Sequence, residues 1–222
     1  MRSNEALFKN LWSSSNIAKR QDLHLARKAW HASMGLLIVF LFWNVFSREG
    51  SVQVLSLIFS AFLALEVLRL NSPRVNAFVV KVARPIIRTQ EVDELSGIPY
   101  YIGAALLCVG LFPREIAALS ILLLALGDPF ASIIGIMYGD RGPKLPKGKS
   151  LIGTLGGIAM CFLVSLVFLG LHWEGSFREI IILSLIGGLS GGMAELVPVD
   201  VDDNLIIPVL SGFVLWISSS LI

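Results

Sequence analysis

Long apolar stretches bounded by polar residues recur along the chain and determine its predicted architecture. A helix needs roughly 17–25 mostly apolar residues to cross a hydrocarbon core of about 30 Å. Seven stretches meet or approach this length: Trp30–Phe46, Val52–Leu68, Ile98–Phe112, Ile116–Met137, Leu151–Leu171, Ile180–Val199 and Leu205–Ile222. None shows the alternation of a barrel strand, and backbone groups in lipid must be paired within the structure. The pattern therefore predicts an all-α, multi-pass transmembrane helical bundle with about seven spans.

The region before the first stretch has a different character. Residues 1–29 mix apolar side chains such as Phe8, Leu11 and Trp12 with basic residues. This composition suits an amphipathic helix lying on anionic lipid, and a solvated arm remains the other interpretation. We predict two parts, a cytoplasmic or interfacial segment of residues 1–29 and a membrane-embedded domain of residues 30–222.

Composition and charge support this architecture and orient it. Of the residues, 55% are hydrophobic and only 15% are charged, whereas a soluble domain carries about 25% charged residues. Arg48, Arg114 and Arg178 fall on one side of the predicted bundle, and the other 15 of the 18 Lys and Arg residues fall on the opposite side. Because cytoplasmic loops are rich in Lys and Arg, the N-terminus is predicted to be cytoplasmic. A bacterial plasma membrane and the endoplasmic reticulum both fit.

An acid inside an apolar stretch is the first chemical signal. Asp128 lies in LGDPFASIIGIMYG, where an ionised carboxylate costs several kcal/mol unless it is paired or hydrated. Gly127 and Pro129 weaken the helix around it, and Ser132 and Gly135 extend a small, polar face at helical spacing. A tight helix–helix seam explains the small residues but does not explain the acid, which favours a functional site.

The connection after the fourth stretch, DRGPKLPKGKS, is the second signal. Ser150 can cap the next helix, whose N-terminus offers N–H groups and a positive dipole end to an anion. The general charge of a cytoplasmic loop explains most of its cations, while Lys149, next to the helix start, is predicted to bind phosphate. Gly142 and Gly148 are separated by five residues rather than four, so the loop is not a P-loop.

Acidic residues near the last two stretches are the third signal. Glu195 follows a glycine-rich run and suits a structural ion pair or a functional role equally well. VDVDDN places Asp202, Asp203 and Asn204 before the seventh stretch, where one residue suffices as a helix cap. Clustered carboxylates repel one another, and oxygen-rich clusters suit Mg²⁺ bound together with substrate phosphates. The cluster therefore predicts a metal or nucleotide site.

Two weaker features are groups of polar residues at helical spacing. Arg27, Lys28 and His31 lie together at the entrance to the first stretch, where they suit either snorkelling cations or contacts to a lipid headgroup. Glu66 precedes Arg69 by three residues, which predicts an ion pair on one helix face.

These motifs together resemble a known family. The order R-K-x-x-H, G-D-P-x-A-S-x-x-G, K-S-x-x-G-T and E…D-D-N-x-x-x-P, from Arg27 to Pro208, resembles the polyprenol kinase family. That family includes dolichol kinases, phytol kinases and the CTP-dependent diacylglycerol kinases of fungi. The resemblance implies transfer of the γ-phosphoryl group of CTP to the hydroxyl of a membrane lipid alcohol, with Mg²⁺ as cofactor. Diacylglycerol, a phytol-like alcohol and a polyprenol all remain possible acceptors.

The candidate residues are carried over by position from the motifs, and the needs of phosphoryl transfer assign a role to each. The predicted catalytic residues are Asp128, Lys149, Glu195 and Asp203. The predicted nucleotide- and phosphate-binding residues are Lys149, Ser150, Gly153, Thr154 and Asn204. The predicted lipid-side residues are Arg27, Lys28, His31, Ser132 and Gly135, and the predicted Mg²⁺ ligands are Asp128, Asp202 and Asp203.

Two other functions remain open. A CDP-lipid synthase also uses CTP in the membrane, but the sequence lacks the G-x-x-x-D-R-x-D type of signature expected near its C-terminus. A secondary transporter would explain the Gly/Pro-broken fourth stretch, but the sequence shows no inverted repeat and its polar clusters all fall on one side. CTP and a lipid alcohol are thus the expected partners, nucleic acid is not, and the oligomeric state stays open.

Overall fold

The computed structural model describes residues 20–84, 86–88, 90–139 and 142–222, and their side chains except at residues 20–24 and 90. Most of the predicted segment of residues 1–29 lies outside this range, as do Asp140 and Arg141 of the basic loop. The first helix continues without a break across the predicted boundary between residues 29 and 30.

Nine α-helices account for most of the described residues. They are α1 (Arg20–Asn44), α2 (Arg48–Asn71), α3 (Pro73–Ala83), α4 (Gly97–Leu111), α5 (Arg114–Leu122), α6 (Asp128–Tyr138), α7 (Leu151–His172), α8 (Phe177–Met193) and α9 (Asp203–Leu221). Short 3₁₀ turns lie at Gln90–Val92, Pro146–Gly148 and Ala194–Leu196, and a π-helical turn at Leu123–Gly127 joins α5 to α6. These described residues contain no β-strand, so the predicted all-α class is confirmed.

The predicted spans are also confirmed. Six helical segments are long and apolar enough to cross a membrane, and one of them, Arg114–Tyr138, comprises α5, the π turn and α6. The shorter α4 corresponds to the third predicted stretch, Ile98–Phe112, and brings the number of predicted stretches found as helices to seven. The protein is therefore an integral membrane protein with roughly seven spans.

The segment formed by α5 and the π turn lies at the centre of the bundle. Ile116, Ala117, Ala118 and Leu119 are all 0% exposed, and α1, α4, α7 and α9 pack around α5. A helix that is apolar on all faces is stable when neighbouring helices surround it. The central position of this segment places Asp128, at its π turn, inside the bundle.

One helix was not part of the predicted pattern. The sequence pattern treats residues 69–88 as a charged connection, and the structure places α3 there, beginning at Pro73 where a missing N–H is tolerated. Val80 is buried, whereas Phe78 and Val82 are 68% and 67% exposed. A helix too short to span, with an exposed apolar face, is typical of the membrane interface.

The predicted Glu66–Arg69 pair is present, with 2.6 Å between Nη2 and Oε2, and belongs to a larger buried cluster. The Arg69 guanidinium, which is 0% exposed, also donates to Asn76 Oδ1 and to two backbone carbonyl groups in residues 92–94. Ser96 donates its N–H and its hydroxyl to Glu66. We call Glu66, Arg69, Asn76 and Ser96 the Arg69 cluster. It joins α2 and α3 to the segment that precedes α4.

At the end of the bundle opposite the Arg69 cluster, two arginines bind carbonyl groups of neighbouring helices. Arg114 donates to the Trp43 carbonyl at 2.8 Å, and Arg48 donates to the Gly110 carbonyl at 2.8 Å. These bonds use carbonyl groups near the last turns of α1 and α4, where the helix itself supplies no donor.

Candidate active site

A cavity of about 380 Å³ gathers most of the predicted functional residues. All of them except Asp202 and Asn204 line it. They are Arg27, Lys28, His31, Asp128, Ser132, Gly135, Lys149, Ser150, Gly153, Thr154, Glu195 and Asp203. Motifs that are far apart in the sequence therefore meet between α1, α6 and the beginnings of α7 and α9.

Lys149 lies between two carboxylates on the cavity wall. Its Nζ is 2.7 Å from Glu195 Oε2 and 2.9 Å from Asp203 Oδ2, and the Thr154 hydroxyl donates to Glu195 Oε1 at 3.0 Å. Burial alone would lower the pKa of Lys149, but the charges of Glu195 and Asp203 outweigh burial and raise this pKa above its ordinary value. We call these four residues the Lys149 cluster.

The Lys149 ammonium retains capacity for a ligand. An ammonium group has three N–H donors, and two of them are directed to Glu195 and Asp203. The side chain is 30% exposed and lines the cavity, so the third donor is available to a phosphate oxygen. Glu195, predicted as either an ion-pair partner or a functional acid, is an ion-pair partner within the cavity wall.

The beginning of α7 differs in part from the prediction. Ser150 caps the helix by accepting from the Gly153 N–H at 3.0 Å, as the sequence predicts. The N–H groups of Leu151 and Thr154 donate to the carbonyl oxygens of Pro143 and Ser150. Three of the first four N–H groups of α7 are thus bonded, so the start of this helix attracts an anion through the N–H group of Ile152 and through its dipole.

The seam predicted for the small residues of α6 is also present, and it lies against α7. A Cβ atom added at Gly153 would lie 2.9 Å from the Ala131 carbonyl oxygen and 3.0 Å from Gly135 Cα. Only glycine fits there, so the two backbones are in direct contact. The seam and the cavity are adjacent features of the same two helices.

The basic loop folds back tightly before α7. Lys147 and Gly148 both have left-handed backbone conformations, with φ of 56° and 72°. Such a conformation is uncommon for a residue with a side chain, and here it reverses the chain so that Leu145 N–H donates to the Lys149 carbonyl at 2.7 Å. The turn brings Lys147 Nζ within 3.7 Å of Asp203 Oδ1.

Asp128 is held at the π turn with its carboxylate facing the cavity. In a π turn a carbonyl accepts from the N–H five residues later, and five residues after Leu124 stands Pro129, which has no N–H. The Leu124 oxygen instead lies 3.3 Å from His31 Nε2, and that nitrogen lies 4.0 Å from Asp128 Oδ2. Among the described residues none forms a hydrogen bond with the Asp128 carboxylate, so its lone pairs are available.

Arg27 is fixed in the wall rather than extended into solvent. Its guanidinium forms an ion pair with Glu91 at 3.2 Å and donates to the Ile86 carbonyl at 3.2 Å. Glu91 also accepts from the Arg88 N–H at 2.8 Å. This anchoring gives Arg27 a defined position between α1 and the segment before α4.

Asp202 and Asn204 lie outside the cavity lining. Asp202 caps α9 by accepting from the Asn204 N–H at 2.9 Å, and its Oδ2 is 3.7 Å from Arg88. Asn204 donates to the Gly97 carbonyl at 3.2 Å. Asp202 therefore does not line the cavity that Asp128 and Asp203 line. In the described part of the chain, no three His, Cys, Asp or Glu side chains are grouped to hold a metal ion.

Several residues of the site were not predicted from the sequence. Arg88 and Lys144 line the cavity, but in the sequence they count only as positive charges of cytoplasmic connections. Glu91 fixes Arg27 across 64 residues of sequence, a separation that no local pattern reveals. The i+3 spacing of Arg88 and Glu91 could have indicated from the sequence that these two residues pair. In the structure they form an ion pair at 3.8 Å.

Comparison with known proteins adds independent information. The CTP-dependent diacylglycerol kinase 1 of Schizosaccharomyces pombe is 32% identical over 201 residues, covering 87% of this chain and 92% of that protein. The Saccharomyces cerevisiae protein of the same name is 27% identical over 218 residues, covering 90% of this chain and 74% of that protein. The probable phytol kinase 1 of Glycine max is 30% identical over 203 residues, covering 83% of this chain and 63% of that protein. No protein-family model and no solved structure gives a significant match.

The similarity extends over almost the whole length of a curated relative, and the motifs that suggested a lipid kinase from sequence meet in one cavity at the end of a membrane bundle. The chain belongs to the family of CTP-dependent diacylglycerol kinases and phytol kinases.

Proposed function

We propose that the protein transfers the γ-phosphoryl group of CTP to the hydroxyl of a membrane lipid alcohol. The observation that carries this proposal is a cavity of about 380 Å³ that combines several cations, a helix N-terminus and an acid with free lone pairs. Phosphoryl transfer depends mainly on positioning and on neutralisation of charge, and these groups supply both. The relatives named as CTP-dependent diacylglycerol kinases and phytol kinases belong to the same reaction class.

The phosphates of the nucleotide are proposed to bind between Lys149 and Lys28. The third N–H of Lys149 faces the cavity, and Lys28 lines the same space from α1. The dipole of α7 adds positive potential at Ser150. In this arrangement Glu195 and Thr154 position Lys149, and they act on the nucleotide through it.

Asp128 fits the role of a Mg²⁺ ligand better than the other two predicted acids. Mg²⁺ is usually held by one or two carboxylates together with substrate phosphates, and the Asp128 carboxylate is open to the cavity. Both oxygens of Asp203 face lysines, at 2.9 Å for Lys149 and 3.7 Å for Lys147, and Asp202 caps α9. When bound, Mg²⁺ supplies positive charge to the β- and γ-phosphates.

The proposed reaction is a single displacement. The acceptor oxygen forms a bond to the γ-phosphorus, the bond from that phosphorus to the oxygen bridging to the β-phosphate breaks, and CDP leaves. Asp128 would be a ligand of Mg²⁺ when the ion is bound, and its carboxylate is the group that accepts the proton of the acceptor hydroxyl. His31, at 4.0 Å from Asp128, limits the space in which that hydroxyl can lie.

The decisive assay follows two radioactive labels of CTP in parallel. Purified protein is incubated in vesicles with diacylglycerol, phytol or a polyprenol, or with phosphatidic acid, the kind of acceptor that a CDP-lipid synthase requires. The CTP is labelled at either the γ- or the α-phosphate. We expect label in the lipid from γ-labelled CTP only. Lipid labelled from α-labelled CTP would indicate a CDP-lipid synthase, and solute uptake without CTP consumption would indicate a transporter. Equal rates with ATP and CTP would contradict the nucleotide assignment.

We also propose that the cavity faces the cytoplasm, as the charge bias predicts. Cys108 and Cys161 are both buried, so cysteines introduced at Lys147 and Gly175 can be labelled in sealed vesicles with an impermeant reagent. Labelling at Lys147 is expected only from the cytoplasmic side and labelling at Gly175 only from the other side. Reaction of both positions from one side would contradict the topology.

A further inference from the structure

A second, smaller cavity of about 60 Å³ lies beside the first. It is bounded by α1, α2, the end of α3 and the beginning of α4. Most of its wall is apolar, including Trp30, Met34, Phe62, Ile87, Ile98 and Ile102. Its lining thus differs in kind from the charged lining of the first cavity.

Two residues belong to the walls of both cavities. Arg27 and His31 line the large charged cavity and also the small apolar one. Arg27 is fixed there by Glu91 and the Ile86 carbonyl, and the His31 ring packs edge-on against Tyr101 at 4.7 Å between centroids. The partition between the cavities is therefore one cation and one imidazole, both held in place.

We propose that the small cavity is the acceptor site, which holds the hydrocarbon segment next to the hydroxyl of the lipid alcohol. The inference rests on the proposed kinase function and adds where the acceptor binds. A lipid alcohol placed there directs its hydroxyl towards His31, whose Nε2 lies 4.0 Å from Asp128 Oδ2. The phosphates then occupy the charged side of the partition and the hydrocarbon the apolar side.

The size of the cavity indicates how much of the lipid it encloses. Sites that enclose a whole drug-sized ligand measure roughly 300–1,000 Å³, so 60 Å³ holds only a few carbon atoms. The remaining hydrocarbon lies outside, next to Trp30, which is 43% exposed on α1. The site therefore encloses only the carbon atoms next to the hydroxyl, and the tails stay in the bilayer.

The first test fills the cavity from α3. Ala83 lines the small cavity and is absent from the large one, whereas the neighbouring Val82 is 67% exposed. Ala83→Phe is expected to raise the KM for the lipid alcohol, as a mole fraction in vesicles, by about tenfold while the KM for CTP stays within about twofold. Val82→Phe is the matched control and is expected to change neither value. Equal lipid KM values for the two variants would overturn the proposal.

The second test does not depend on turnover, so it separates this inference from the kinase function. Wild-type protein is placed in vesicles with diacylglycerol that carries a diazirine near the glycerol end of one acyl chain, and is irradiated without CTP. Crosslinks are expected in peptides that contain Trp30, Met34 and Ile98, and competition by unlabelled diacylglycerol should remove them. Crosslinks distributed like those of a matched phosphatidylcholine probe would overturn the acceptor site, whatever the labelled-CTP assay shows.

Discussion

The Arg69 cluster and the Lys149 cluster are both built around a cation held by carboxylates, yet they differ in their access to ligands. Arg69 is 0% exposed, and its guanidinium makes five hydrogen bonds, which matches its five N–H donors. Lys149 is 30% exposed and directs two of its three donors to carboxylates. A saturated buried ion network can contribute only to structure, whereas an incomplete one beside a cavity can bind a ligand.

The largest effect is expected from breaking the saturated cluster. Arg69→Met leaves the Glu66 carboxylate buried without its partner, and loss of one member of a buried pair typically costs about 3–5 kcal/mol. We expect a marked fall in the thermal unfolding temperature of the purified protein. The double variant Arg69→Met/Glu66→Met removes both charges and should recover much of this loss. Equal unfolding temperatures for the wild type and Arg69→Met would contradict a structural role.

The next largest effect is expected at Asp128, where substitution should lower the activity without lowering the stability. Asp128→Asn keeps the shape of the side chain but removes the anion, and loss of such an electrostatic contact typically lowers the rate by about 10²–10³. The unfolding temperature should stay at or above that of the wild type, and excess Mg²⁺ should restore the rate only in part.

Asp200→Asn serves as the control for Asp128→Asn, because Asp200 is exposed and outside the cavity lining. It should leave the rate of transfer from labelled CTP unchanged. If Asp128→Asn retained activity within about threefold of the wild type, the acid would belong only to the seam of α6.

A smaller effect is expected from removing the available donor of the Lys149 cluster. Lys149→Gln should raise the KM for CTP by about tenfold or more, since a charge-assisted bond to phosphate is lost. This change also leaves Glu195 without its partner, so Lys149→Gln/Glu195→Gln restores the charge balance as a control. We expect the double variant to regain stability but not CTP affinity. Recovery of both would mean that Lys149 only neutralises the acids.

The smallest effect is expected from pH. The pKa of Lys149 is raised above its ordinary value of 10.5 by Glu195 and Asp203. A raised pKa in the folded state means that its contribution to stability is complete below pH 10.5 and is lost only as the pH rises through the folded value. The unfolding temperature of the wild type should therefore show no Lys149-dependent change between about pH 7 and about pH 9. The prediction would be wrong if the unfolding temperature of the wild type fell over this pH range and that of Lys149→Gln did not.

The spans and most of the cavity residues could be predicted from sequence for a simple physical reason. The bilayer imposes a length on every crossing helix, so apolar run length alone defined the architecture. Polar residues are costly inside it, so Asp128 stood out against its surroundings. The same criterion missed α3, because a helix of 11 residues is too short to register as a span.

The separate roles of Asp202, Asp203 and Asn204 could not be predicted from their position in the sequence. Successive residues at the start of a helix point about 100° apart, so three neighbours face three different partners. Asp202 turns to Arg88, Asp203 to Lys149 and Asn204 to Gly97. The motif places all three residues at the start of α9, and only the geometry of α9 distinguishes its members.

The glycine contact between α6 and α7 has a consequence for how the sequence of this protein can evolve. The separation between the helix that carries Asp128 and the helix that begins at Leu151 is fixed by main-chain atoms, because no side chain fits at Gly153. The wall contributed by α3 contains no glycine, so preference for a lipid can diverge there while the spacing of the phosphate-handling groups is inherited intact.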